Sequence, residues 1–324
     1  MSEKYKKNII TVAVITYHSA ATVLETLDSI VTQTYGPENI ELIISDDGSR
    51  DMTVEVIELW LVQNQNKFYR VKFFANEKNC GVSKNCNVAW KTATSEWIKT
   101  IAGDDILLPN CIDDNIKYIN SHTDDTPAII FSYMKLFTNN NSNNLVLLGE
   151  MPAKDELVFF DYNTSKQIKY LQSTNISGAP SAFINRSILD KVGYADERFP
   201  LIEDYPLWFS TVKAGHRIGF VAKQTVLYRI GESSSRTKLR LVNEKYIKQL
   251  LLIDEKLIFP TLNSTQIFLK FRKRLWIKLV LLLSLISGNK NSPTSRFFLI
   301  LIYFIKPKYM YQKFARFFNR VVKS

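Results

Sequence analysis

Beyond Glu255 the sequence contains no acidic residue. Residues 256–324 hold 14 Lys and Arg, which leaves 28 of the 42 basic residues against all 31 acidic ones before that point. The formal charge of +11 is therefore a property of the tail, and residues 1–255 carry a net of −3. A basic segment set apart in this way points to an anionic surface, either membrane or nucleic acid. Cysteine is scarce too. Cys80, Cys86 and Cys111 are odd in number and lack zinc-like spacing, which excludes a disulfide framework and predicts reduced thiols of the cytoplasm. His18, His122 and His216 have no metal-ligand spacing, so a zinc centre is not expected. Neither GxGxxG nor GxxxxGK[ST] occurs, which argues against a dinucleotide enzyme and a P-loop NTPase. The apolar runs "LWIKLVLLLSLI" and "FFLILIYFI" have 12 and 9 residues. Each falls short of the roughly 17–25 residues that span a bilayer. The amino terminus lacks the pattern of a secretory signal, and its β-branched run is read as a first strand.

What is present is enough for a sizeable core: 324 residues, 46% hydrophobic and 12% aromatic. Residues 9–17, "IITVAVITY", read as a strand buried on both faces. Residues 20–34 place Val23, Leu24, Leu27, Ile30 and Val31 on one helical face, and Gly36-Pro37 ends that helix. "IELIIS" is a second strand, and a helix follows from about Met52 to Gln65. "RVKFFAN" is a third strand, "GVSKNCNVAWKTA" a helix with Ser83 as its expected N-cap, and "EWIKTIAG" a fourth strand. Pro109 opens another helix, "IEDYPLWFSTVKAG" is a helix stopped by Gly215, and "RIGFVAKQTVLYR" supplies strand. The polar stretch 137–144 reads as a hairpin tip or insertion.

Strands alternating with helices predict βαβ units and a mostly parallel sheet, in which ligands bind beyond the carboxyl ends of the strands. Thr16-Tyr17-His18, Asp46 to Ser49, Asn76 to Gly81 and Gly103-Asp104-Asp105 all fall at such ends. Asp104-Asp105 is either a strand-to-helix turn or a hard-cation site of the kind that takes Mg²⁺ or Mn²⁺. Side chains alternate along an extended backbone, so the two carboxylates divide between metal and a neighbouring group such as a ribose hydroxyl. Asp46-Asp47 is either turn chemistry or an acceptor for the imide N–H of a uracil or thymine, on which Tyr17 could stack. Glu203-Asp204 is either a helix amino terminus with favourable acidic charge or the place of a general base.

The segments "VAVITYHSAATVLETLDSIVTQTY", "IELIISDDGSRD", "NCGVSKNCNVAW", "IAGDDILLPN", "SGAPSAFINRSIL" and "EDYPLWFSTVKAG" occur in one order. Over about residues 8–230 the chain resembles the inverting family-2 glycosyltransferases of the GT-A fold, of the bacterial surface-polysaccharide type. The resemblance implies a Rossmann-like α/β domain with a mostly parallel sheet flanked by helices. It implies that Thr16, Tyr17 and Asp47 line the base pocket and that Asn79, Gly81 and Lys84 lie near the ribose or diphosphate. Asp104 and Asp105 would be the metal-binding acidic motif, Asp204 the catalytic base, and Arg229 a basic group near the diphosphate. Two positions depart from the pattern. Ala102 stands where the family often has a third acid, which leaves open which of Asp104 and Asp105 holds Mn²⁺ or Mg²⁺. Gly231 and Glu232 stand where some members have a histidine.

The expected organisation is a nucleotide-sugar domain at 1–235 and a basic, apolar helical region at 236–324. The latter is read as helices lying in the interface of an anionic membrane, on the cytoplasmic face, with an ordinary helical subdomain as the alternative. The expected reaction moves a sugar from a UDP-sugar, or second a dTDP-sugar, to a saccharide acceptor linked to polyprenyl diphosphate. A non-catalytic binder of sugar nucleotide or membrane on the same scaffold is the alternative. Nucleic acid is not expected as a partner, and a homo-oligomer is left open.

Overall fold

The computed structural model describes residues 5–139, 144–231 and 240–308. Glu232 and the end of the basic tail lie outside the described residues. The chain divides into two units, Met1–Ala153 with Ser177–Ile230, and Lys154–Ile176 with Gly231–Ser324. The stretch Lys154–Ile176, inside residues 1–235, thus packs within the second unit.

The strands are β1 (Lys6–Thr16), β2 (Ile40–Asp46), β3 (Arg70–Ala75), β4 (Ser95–Ala102), β5 (Ile106–Leu107), β6 (Ile129–Asn139), β7 (Leu145–Met151), β8 (Phe183–Asn185) and β9 (Ile218–Arg229). The helices are α1 (Val23–Val31), α2 (Thr53–Asn64), α3 (Val82–Thr92), α4 (Cys111–Ser121), α5 (Lys154–Leu157), α6 (Thr164–Ser173), α7 (Arg186–Val192), α8 (Asp204–Lys213), α9 (Glu244–Ile253), α10 (Ile267–Ile286) and α11 (Pro293–Tyr303).

The first unit holds a mixed α/β sheet in the order β3-β2-β1-β4-β8-β6-β9-β5, with β7 paired to β6. The first four strands are parallel, as alternation with α1, α2 and α3 predicts. β6 and β9 are also parallel, while β8, β5 and β7 join antiparallel. All seven residues of β2 are buried, as are residues 10–14 of β1. Helices on both faces make that possible, which is why β1 reads as a continuous apolar run, while β2 buries Glu41 among its apolar residues. Val23, Leu27 and Ile30 of α1 join Ile57 and Trp60 of α2 and Ile112 of α4 in one core with Val12, Val14, Leu42 and Ile44.

Register then sets the site. Thr16 pairs with Asp46, Asp46 with Ala75, and Ile15 with Ala102, so the carboxyl ends of four strands finish level on one edge. β5, immediately after Asp105, pairs with Leu227 and Val226 of β9. That short antiparallel join carries Arg229 to the acidic pair.

In the second unit Ile247, Trp276, Ile277 and Val280 form a separate small core from α9 and α10. Lys273 and Asp254, 8% and 4% exposed, form an ion pair of 2.5 Å within it. Among the described residues no helix is long and apolar enough to cross a membrane.

Candidate functional site

The site begins at the end of β1. Thr16 is buried and its hydroxyl donates to Asp46 Oδ1 at 2.8 Å. Asp46 also receives the Ser49 N–H at 2.8 Å and the Ser49 hydroxyl at 2.7 Å, so this carboxylate builds the loop. Tyr17 remains 47% exposed and stacks on His18 with ring centroids 4.1 Å apart, which leaves a ring face for a base. Asp47 is turned the other way. Its two oxygens accept the backbone N–H groups of Cys80 at 2.8 Å and Gly81 at 2.9 Å. Burial raises the Asp47 carboxyl above its ordinary range, opposed by those two bonds. Asp47 therefore shapes the loop that leads into α3. Asn79 and Lys84 on that loop and helix are exposed, and the Lys84 ammonium lowers the Asp47 carboxyl.

Gly81 has φ +93, and a Cβ there would lie 2.4 Å from the Pro200 carbonyl oxygen. The glycine lets the loop before α3 touch the loop before α8. Ser83 was the expected N-cap, but Gly81 occupies that position, and the Ser83 hydroxyl donates to the Phe199 carbonyl at 2.6 Å. Tertiary contact has taken a side chain that propensity assigned to the helix end. Gly81→Ala should lower unfolding free energy by at least about 1–3 kcal/mol from the positive φ alone, with the clash adding to it. Urea melts read this, and an unchanged midpoint would contradict the contact.

Asn85 joins the ends of β1 and β2, and nothing in the sequence analysis singles it out. Its amide donates to the carbonyls of Ser45 at 2.9 Å and Thr16 at 3.2 Å, and its carbonyl accepts from the Ser45 hydroxyl at 2.5 Å. A signal existed: Asn85 and Asn87 are poor helix formers inside α3, and both are buried.

At the end of β4, Asp105 is 1% exposed and Asp104 half-buried. Asp105 Oδ1 accepts the Arg229 backbone N–H at 2.9 Å. Asp105 Oδ2 is buried and accepts no hydrogen bond from any of the described residues. Burial first, and the neighbouring Asp104 second, hold the Asp105 carboxyl well above its ordinary range. Burial raises Asp104 too, with the Arg229 guanidinium opposing. Arg229 itself is a clasp. Its Nε donates to the Asp104 carbonyl, one terminal nitrogen to Asn139 and the other to Glu25, each at 2.8 Å. The guanidinium, expected near a diphosphate, is thus engaged in holding the acidic turn. Behind it, Lys99 is fully buried in β4 and its ammonium donates to the carbonyls of Pro180 and Ala182. Its charge lowers Asp105, a compensation that no local sequence pattern shows.

Glu203 and Asp204 begin α8, and Asp204 Oδ1 accepts the Tyr205 N–H at 2.6 Å. The buried Cys86 thiol of α3 is raised by the charges of Glu203, Asp47 and Asp204, after burial itself. That thiol is therefore within electrostatic reach of the carboxylate at the end of β2 and of those at the start of α8. Glu203 keeps part of its surface in solvent, yet its carboxyl is pushed up to about 8, first by burial and then by Asp204. Between the ordinary glutamate value of 4.5 and about 8 the folded protein keeps a proton that the unfolded chain has released. Stability then falls as pH rises through that window. The wild-type melting temperature should drop more steeply from about pH 5 to pH 8 than that of Glu203→Gln. Parallel profiles would show that Glu203 is not held protonated.

A hard divalent cation needs oxygen ligands and uses one or two carboxylates plus substrate phosphates. The unpaired buried Oδ2 of Asp105 beside the Asp104 carboxylate fits that demand. Among the described residues there is no group of three or more His, Cys, Asp or Glu able to hold a metal, so the remaining ligands would come from diphosphate and water.

The sequence model described as "Glycosyl transferase family 2" matches residues 11–193. The chain is 26% identical over 228 residues to the Escherichia coli UDP-Glc:alpha-D-GlcNAc-diphosphoundecaprenol beta-1,3-glucosyltransferase WfaP, covering 70% of this chain and 79% of that protein. It is 26% identical over 251 residues to the bifunctional glycosyltransferase pgtA of Dictyostelium discoideum, covering 71% of this chain and 32% of that longer protein. Its fold is similar to S. aureus TarS 1-349 solved with UDP-GlcNAc, with a TM-score of 0.58 at 21% identity over 84% of this chain and 72% of that one.

Proposed function

The chain belongs to glycosyl transferase family 2, and from that premise we propose that it transfers a sugar from a UDP-sugar to a hydroxyl of a lipid-linked saccharide, with inversion. The observation that carries this reading is the buried acidic turn, where Asp105 presents an oxygen with no protein partner beside Asp104. Such an oxygen costs about 1–3 kcal/mol unless a ligand completes it. The nucleotide would lie across the strand ends, with its base on the exposed face of Tyr17. Asp104 and Asp105 would hold Mn²⁺ or Mg²⁺, which supplies positive charge to the departing diphosphate. Arg229 keeps the turn in place from behind. Asp204 takes the proton from the acceptor hydroxyl, that oxygen forms the new bond to the anomeric carbon, and the bond to the diphosphate oxygen breaks as UDP leaves. One displacement from the opposite face inverts the configuration.

The acceptor class is supported by the likeness to WfaP, whose name gives GlcNAc-diphosphoundecaprenol as its acceptor. An acceptor of that kind would place the protein at the cytoplasmic face of a membrane. The test is UDP release from a panel of UDP- and dTDP-sugars, with Mn²⁺, Mg²⁺ or EDTA, and with a lipid extract as acceptor. Release that needs one UDP-sugar, the lipid and a divalent ion supports the proposal. Binding of UDP with no turnover of any donor would make the chain a binder.

A further inference from the structure

Helix α10 leaves a large apolar stripe exposed. The side it turns to the second unit's core carries Trp276, Ile277 and Val280, together with Lys273 and Ser284, which Asp254 and Glu244 engage. Its other side bears Phe268, Phe271, Lys278, Leu282 and Leu285, each exposed. These positions fall at helical spacing on one stripe. Leu285 is 77% and the adjoining Ile286 75% exposed, values expected of surface lysines rather than of aliphatic residues. α11 likewise exposes Phe297 and Leu301, with Leu299, Ile302 and Tyr303 against the core. Among the described residues the Arg272 guanidinium lies over the Phe268 ring at 5.8 Å, and both stripes stay exposed. Water as the surrounding medium disfavours both exposed stripes, since aromatic and aliphatic surface is costly to hydrate.

The charge around the stripes selects the occupant. Lys270, Arg274, Lys278, Lys290 and Arg296 accompany them, and the chain beyond Glu255 has no acidic residue. A second copy would bring the same positive charge to the contact, whereas an anionic lipid surface complements it. The stripes are apolar and short, and no described helix is able to cross a bilayer. We propose that α10 and α11 lie in the headgroup region of an anionic bilayer, with Phe268, Phe271, Leu282, Leu285, Phe297 and Leu301 inserted into the acyl boundary. The inference rests on the second unit alone and does not require the transferase reading.

The test uses the full chain and flotation through a density gradient with vesicles of phosphatidylglycerol and phosphatidylethanolamine, against phosphatidylcholine alone. Wild type should float with the anionic vesicles. Phe271→Gln with Leu285→Gln should lower the bound fraction at limiting lipid by about tenfold or more, because two large side chains leave the apolar phase. Its circular dichroism melt should be unchanged, since both side chains are exposed. Lys278→Gln should weaken binding to anionic vesicles and leave the weak binding to phosphatidylcholine as it was. The proposal fails if wild type stays with the soluble fraction, or if the double variant floats as wild type does. It also fails if light scattering shows a wild-type dimer that the double variant breaks, which would assign the stripes to self-association. UDP binding measured without lipid reports separately on the nucleotide site.

Discussion

Asp204→Asn should lower acceptor-dependent UDP release by about three orders of magnitude, within the range that general-base catalysis supplies. The substitution keeps size and shape. Its side-chain oxygen can still accept the Tyr205 N–H that Asp204 Oδ1 accepts at 2.6 Å, so the start of α8 is retained. What it loses is a site for the proton. The melting temperature should shift little, because a carboxylate at a helix amino terminus contributes only about 0.3–1 kcal/mol. UDP binding should be unaffected, since the base acts on the acceptor. The comparison with Glu203→Gln is decisive. If Glu203→Gln abolishes release and Asp204→Asn does not, the base is Glu203, whose carboxyl already lies near 8.

Asp105→Asn should weaken divalent-ion-dependent UDP binding on the order of a hundredfold, since even the second shell of a metal site is worth tenfold to a hundredfold. The metal-free protein, by contrast, should melt no lower than wild type. Burial and the Asp104 charge both oppose the ionised form of Asp105, so the native carboxylate is a strained choice for an empty fold. An asparagine oxygen can keep the Arg229 N–H bond of 2.9 Å. Loss of function with no loss of stability is the mark of a residue kept for its ligand. Retained UDP affinity with a lower melting temperature would make Asp105 structural instead. Isothermal titration with UDP and Mn²⁺, alongside thermal melts in EDTA, separates the two outcomes.

The parts of the fold that were legible are those encoded by near neighbours. The apolar runs of β1 and β2, the helical spacing of Val23, Leu27 and Ile30, and the turn residues after each strand all lie within a few residues of what they specify. The convergence of polar clusters on one sheet edge followed from alternation, because parallel strands must finish at the same end. Ser83 shows where this reasoning stops. Its preference for a helix cap is real, yet a carbonyl 116 positions away takes its hydroxyl.

By itself, then, the sequence determined the α/β class, the order of strands and helices from β1 to α4, the strand-end clusters and the basic segregation of the tail. Only the tertiary structure decided what each acid does. Asp46 and Asp47 close loops, while Asp105 is left with an oxygen unpaired. Arg229 reaches the acidic turn from 124 positions away through the join of β5 to β9. It also decided that Lys273 of α10 turns in to Asp254 while Leu282 and Leu285 stay exposed. The reason is common to all three. Periodicity and turn chemistry are local, but desolvation and hydrogen-bond satisfaction depend on whatever distant chain is packed against the group.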